Sequence, residues 1–151
     1  MSGDLEKARA KAAELGIREL SHVAIATPDA DALASLLGAS LGAKRGAEEI
    51  LDEGGLRILF LRLGPVTLEL LEPRNADHTV AKFLATRGPG LHHVSFEVPD
   101  LTATLERVRA AGARLIDETP RAGAHGSRVA FLHPKSFGGV LIELCERAAK
   151  G

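Results

Sequence analysis

Residues 22–29 read HVAIATPD and residues 93–100 read HVSFEVPD. His, Val, Pro and Asp recur in the same order at a spacing of 71. Further along, residues 66–72 read VTLELLE and residues 140–146 read VLIELCE, which sets Glu69 and Glu143 at a spacing of 74. Two pairs of segments with nearly one spacing describe a unit that occurs twice and carries a small insertion. Two copies are too few for a solenoid, and a pair related by a pseudo-twofold axis is the simpler arrangement.

Working outward from the repeated segments, each copy begins with a short alternating or apolar run, at 19–27 and 91–98, that reads as a strand. Pro and Asp follow, and Asp is a favoured N-cap. The next stretches, DADALASLLGASLG and DLTATLERVRAAGA, read as helices. In the second, Leu101, Leu105 and Val108 have helical spacing and Gly112 is placed to end the helix. Three strands complete each copy, at 43–51, 56–63 and 66–72, then at 114–118, 128–133 and 140–146. The expectation is an α+β fold of tandem βαβββ modules in one domain. A helical extension covers 1–17, module one 18–73, a linker 74–90 with a short helix at 79–86, and module two 91–147.

Composition narrows the function. The 151 residues are 45% hydrophobic and 26% charged, which is globular rather than disordered. The formal charge is -1 and there is no Trp or Tyr, so neither a basic footprint nor a stacking platform for nucleic acid is expected. Cys145, the single cysteine, rules out an intrachain disulfide or a cysteine zinc cluster and suits a reducing, cytoplasmic setting. No apolar run reaches the roughly 18 residues of a membrane span. The mixed-charge N-terminus does not read as a signal peptide.

Strand parity then selects residues. His22 shares a face with Ala24 and Ala26, and His93 shares one with Ser95 and Glu97. Glu69 and Glu143 occupy matching points on the last strand of each copy. Taken singly, a strand His or Glu is more often structural or solvated. Four metal-ligand types at repeat-equivalent, apolar-flanked positions are different, because a buried carboxylate calls for a partner. His22, Glu69, His93 and Glu143 are therefore the candidate ligands of one divalent ion per chain, with Ala24, Ala26 and Ser95 leaving room for a substrate. Two imidazoles favour the later first-row metals, cobalt first, then nickel, manganese or zinc, over magnesium. Of the other histidines, His92 reads as second-layer or structural, His78 as a surface or cap residue, and His125 and His133 as turn or substrate residues. The glycines at 123, 126, 138 and 139 permit turns but form no phosphate loop.

The paired modules with these ligands resemble the vicinal oxygen chelate, or glyoxalase, superfamily. Within it, LSHVAIATPD, LELLEP, TVAKFL, GPGLHHVSFEVPD and GAHGSRVAFLHPKSFGGVLIELCE resemble the methylmalonyl-CoA epimerase family over about residues 18 to 146. The resemblance implies metal-dependent epimerisation of an acyl-CoA at C2, a homodimer, and ligands at the same four positions. It implies Glu143 as a catalytic proton-transfer group, and Lys135, Ser136 and Arg128 are candidates for the CoA contacts. Two departures stand out. Glu69 occupies a position where that family often has Gln and glyoxalase I has Glu, which keeps hemithioacetal isomerisation open. Ile58 stands where some relatives have a catalytic Glu, leaving a second base to be sought among Glu48, Glu49 and Glu53. A non-catalytic small-molecule binder of the same fold is the third reading.

Overall fold

The computed structural model describes residues 2–14 and 16–149. It contains α1 (Ser2–Glu14), β1 (Glu19–Ala26), α2 (Ala30–Leu41), β2 (Lys44–Leu51), β3 (Leu56–Leu63), β4 (Val66–Pro73), α3 (Thr79–Arg87), β5 (Gly90–Glu97), α4 (Leu101–Ala110), β6 (Arg121–Ala122), β7 (Arg128–Leu132) and β8 (Ile142–Glu146). This is βαβββ twice, with α3 between the copies, as the repeat predicts. Two compact units divide the chain, residues His22–His93 and residues Met1–Ser21 with Val94–Gly151.

In the first unit the strand order is β2-β3-β4-β1. β1 runs parallel to β4, while β2–β3 and β3–β4 are antiparallel. α2 covers one face, where Ala30 and Ala34 meet Leu59, Leu61, Leu68 and Leu70, with Val23 and Ile25 beside them. His22, Ala24 and Ala26 alternate with that set and so point to the other face. The second unit repeats the plan as β5-β8-β7-β6, with β5 parallel to β8. α4 covers Ala130, Leu132 and Leu144 through Leu101 and Leu105. Leu59 and Leu61 correspond to Ala130 and Leu132 at the same spacing of 71, and Leu70 to Leu144 at 74. The duplication therefore runs through the core as well as the motifs.

Local features repeat too. Asp29 caps α2 by accepting from the Ala32 amide at 3.0 Å, and Asp100 caps α4 by accepting from Ala103 at 2.9 Å. The turn before β3 puts Glu53 and Gly54 at φ 55° and 91°, and the turn before β7 puts His125 and Gly126 at φ 56° and 70°. Paired positive φ values of this kind suit tight hairpins.

A second repeated device went unread in the sequence. Glu72 accepts from the Ala30 amide at 2.7 Å and Glu146 from the Leu101 amide at 2.7 Å, so each closing strand carries a carboxylate to the first turn of its helix. An arginine braces each carboxylate. Arg57 reaches Glu72 at 3.5 Å, Asp31 at 3.0 Å and Glu48 at 2.8 Å, while Arg128 reaches Glu146 at 3.5 Å and Thr102 at 3.3 Å. Arg45 also bonds Asp31, and the Arg57 and Arg45 guanidiniums hold the Asp31 carboxyl down to about 2.

One expected strand is corrected. Residues 114–118 make only a single bridge, Leu115 with Leu132, and the short β6 lies later, at Arg121–Ala122. The cause is Asp117. Its side chain accepts from the Phe131 amide at 2.8 Å, while Ile116 and Asp117 amides both donate to the Phe131 carbonyl at 2.9 and 3.1 Å. A side chain substitutes for the ladder there. Among the described residues, no helix is long and apolar enough to cross a membrane.

Candidate metal centre

The register of β1, β4 and β3 builds the first half of the site. Ala24 pairs with Glu69, and Glu69 with Phe60, so the three share a face. His22, two residues before Ala24, lies on that face too. Ala24 has no exposed surface and no bulk to fill the space above it. The His22 Nε2 atom is 3.2 Å from Glu69 Oε2 and 3.1 Å from His93 Nε2. One ligand atom from each of these three buried residues lies within 4.8 Å of the others.

Burial lowers the His22 imidazole to about 4. At neutral pH its ring is uncharged and offers a lone pair, which is the form a metal takes. Two buried imidazoles and a carboxylate converging on one point suit a divalent first-row ion. The residues present therefore fit the metal that the fold implies.

Glu143 lies in the second unit at the matching register. It pairs with Ser95 as Glu69 pairs with Ala24, and with Phe131 as Glu69 pairs with Phe60. The Ser95 hydroxyl donates to Glu143 Oε1 at 2.8 Å. Burial pushes the Glu143 carboxyl up to about 7, opposed by the Ser95 hydrogen bond and the field of Arg121 and reinforced by Asp117. Arg121 is held by Asp117 at 3.3 Å and lies over the Phe131 ring, 5.2 Å from its centroid. Neither Arg121 nor Asp117 was singled out from sequence. Their signal was weak, since both fall in a segment read as a strand and a turn.

The remaining candidates separate. Arg128 sits with Glu146 and Thr102 on the helix-bearing face, away from the face of Glu143. Ser136 accepts from the Arg114 amide at 2.9 Å. Lys135 is exposed on the turn after β7, and its amide is bonded by the His133 ring at 3.1 Å. His133 is thus a turn residue, and His78 is the N-cap of α3. Glu48 belongs to the Arg57 cluster and pairs with Leu59 on the helix-bearing face, and Glu53 belongs to the turn. Glu49 pairs with Ile58, whose neighbour on β4 is Leu71, so Glu49 is the one of the three whose register places it on the ligand-bearing face.

The model of the Glyoxalase/Bleomycin resistance protein/Dioxygenase superfamily matches residues 21–131. Ethylmalonyl-CoA/methylmalonyl-CoA epimerase of Cereibacter sphaeroides is 42% identical over 130 residues, 85% of this chain and 97% of the relative. The crystal structure of methylmalonyl-CoA epimerase from Mycobacterium tuberculosis superposes with a TM-score of 0.82 at 40% identity, covering 87% of this chain and 89% of that one. A methylmalonyl-CoA epimerase in complex with methylmalonyl-CoA and NH4+ superposes with a TM-score of 0.82 at 37% identity, covering 88% and 96%. The chain belongs to the methylmalonyl-CoA epimerases of the glyoxalase/bleomycin resistance protein/dioxygenase superfamily.

Proposed function

We propose that this enzyme interconverts the 2R and 2S forms of methylmalonyl-CoA by proton transfer at C2, with a divalent ion held by His22, Glu69, His93 and Glu143. The observation that carries the reading is the buried His22–Glu69–His93 cluster, in a chain about two-fifths identical to epimerases over most of its length. The C2 hydrogen, between a thioester and a carboxylate, is weakly acidic. An ion bound at these residues supplies Lewis-acid stabilisation of the negative charge that develops as the proton leaves. Two imidazoles and two carboxylates around a dication sum to neutral.

Inversion requires proton transfer on both faces of C2. Glu143 supplies one side, with its carboxylate oriented by the Ser95 hydroxyl that donates to Oε1. Burial raises the carboxyl to about 7 in the ion-free site, and a bound dication would lower it into the proton-accepting form. Glu49 is assigned the opposite side, from its place on the ligand-bearing face beside Ile58. Lys135 is the cation proposed for the CoA phosphates, and Ser136 shapes the turn that carries it. Arg128 is given a bracing role in place of a CoA contact.

The working unit is taken to be a cytoplasmic homodimer, and a purely monomeric sedimentation profile at micromolar concentration would contradict it. The metal reading is tested by elemental analysis of purified protein. About one divalent ion per chain is expected, with cobalt supporting activity, and His93→Ala should empty the site. Full metal content after His93→Ala would remove His93 from the ligand set. Turnover of a glutathione hemithioacetal in preference to methylmalonyl-CoA would replace the epimerase reading with isomerisation.

A further inference from the structure

The adjacent histidine, His92, is unused by the chemistry above. Its Nδ1 lies 2.8 Å from Nδ1 of His93, at the end of the His93 ring opposite the atom that faces His22. A hydrogen bond between two ring nitrogens holds one proton. If His93 presents a bare Nε2 to the ion, its own proton must sit on Nδ1, and His92 Nδ1 must be the acceptor. We propose that His92 is a positioning residue that fixes the tautomer and orientation of the metal ligand His93. The inference rests on the metal reading proposed above.

Other contacts hold His92 in that role. Its ring meets Phe83 edge to face, with centroids 4.9 Å apart, and the Arg87 guanidinium lies 5.5 Å from the Phe83 ring centroid. Both residues belong to α3. That helix is in turn fastened at its start by His78, whose Nδ1 accepts from the Val80 amide at 3.1 Å and whose Nε2 therefore donates to Asp52 at 2.7 Å. The linker helix thus becomes a backstop: α3 fixes Phe83, Phe83 fixes His92, and His92 fixes His93. Ligating histidines depend on such outer partners for ring orientation and basicity. The TVAKFL and GLHHV segments are tied together by this chain of contacts.

Two variants and one spectroscopic measurement test the proposal. His92→Phe keeps a ring against Phe83 and removes the acceptor. His92→Asn places an acceptor oxygen close to where Nδ1 stands. Co2+ affinity, measured by chelator competition, should weaken roughly 10- to 100-fold in His92→Phe and recover most of that loss in His92→Asn. Long-range 1H–15N spectra of the metal-free wild type should show His93 protonated on Nδ1. Wild-type Co2+ affinity in His92→Phe, an equal loss in both variants, or a His93 proton on Nε2 would each overturn the proposal. A wild-type chain that binds no Co2+ would instead overturn the metal reading, and the proton position on His93 would still decide this one.

Discussion

The two modules share a frame and differ at the ligand. Each uses an aspartate cap, a closing-strand glutamate on the helix start and an arginine behind it. In module one the Arg57 side chain is 15% exposed and meets three carboxylates, whereas in module two the Arg128 side chain is 50% exposed and meets one. On the other face the same register pair is Ala24 with Glu69 in one module and Ser95 with Glu143 in the other. Ala24 offers Glu69 nothing, and Glu69 lies against the His22 imidazole. Ser95 holds one oxygen of Glu143, whose carboxyl burial raises to about 7. Duplication preserved the frame, and the residue beside each glutamate differs: Ala24 leaves Glu69 against the His22 imidazole, whereas Ser95 donates to Glu143.

The largest expected effect lies in that difference. Glu143→Gln keeps an amide oxygen for coordination and loses the proton-accepting group. Turnover should drop roughly 10²-fold or more with metal still bound, and exchange from one enantiomer should suffer more than from the other. Equal and full turnover in both directions would reduce Glu143 to a ligand. Glu49→Gln should impair the opposite enantiomer more, and an unchanged ratio would move the second base elsewhere.

Next come the braces. Arg57→Met removes one partner each from Asp31, Glu48 and Glu72, of which Asp31 keeps Arg45 and Glu72 keeps the Ala30 amide, and should lower stability to urea by more than Arg128→Met does. Arg128→Met should cost under about 1 kcal/mol. Equal losses would mean that the additional carboxylates in module one add nothing.

Smaller effects concern protons. Ser95→Ala makes the second pair resemble the first. Because the Ser95 hydrogen bond lowers the Glu143 carboxyl, its removal should move that group further up, shifting the acid limb of the pH–rate profile to higher pH. An unmoved limb would separate Glu143 from the profile. His22 tests the smallest term. Its folded value of about 4 is depressed, so the neutral form persists as pH falls through 6.5 and is lost only near 4. In metal-free protein the His22 ring should therefore stay neutral between pH 7.5 and 5.5, where an ordinary imidazole takes up its proton. Long-range 1H–15N spectra at the two pH values read this directly, and a His22 ring that protonates near 6.5 would contradict it.

Much of the fold was legible because repetition supplied a check that no single segment could. His22 with His93 and Glu69 with Glu143 marked both the modules and the four candidate ligands expected to converge, and three of them, His22, Glu69 and His93, lie together. The segment at 114–118 misled because an alternating run looks the same whether a carbonyl or the Asp117 side chain takes the Phe131 amide. Arg57 and Arg128 stood in plain view at the repeat spacing, yet an arginine beside an apolar strand carries no mark of its partner. His92 was set aside by parity, which gives the direction of a side chain but not the reach of its ring. Arg121 and Asp117 depend on the irregular path of residues 117–121, which pattern alone does not trace.

The central claim is that ion-dependent proton transfer at C2 runs through this site. The direct measurement is deuterium incorporation at C2 of each methylmalonyl-CoA enantiomer in deuterated water, followed by NMR with metal-stripped protein before and after addition of Co2+. Exchange should be absent without the ion, restored with it in wild type, and not restored in His93→Ala. Exchange at the full rate in stripped protein, or in His93→Ala, would contradict the account.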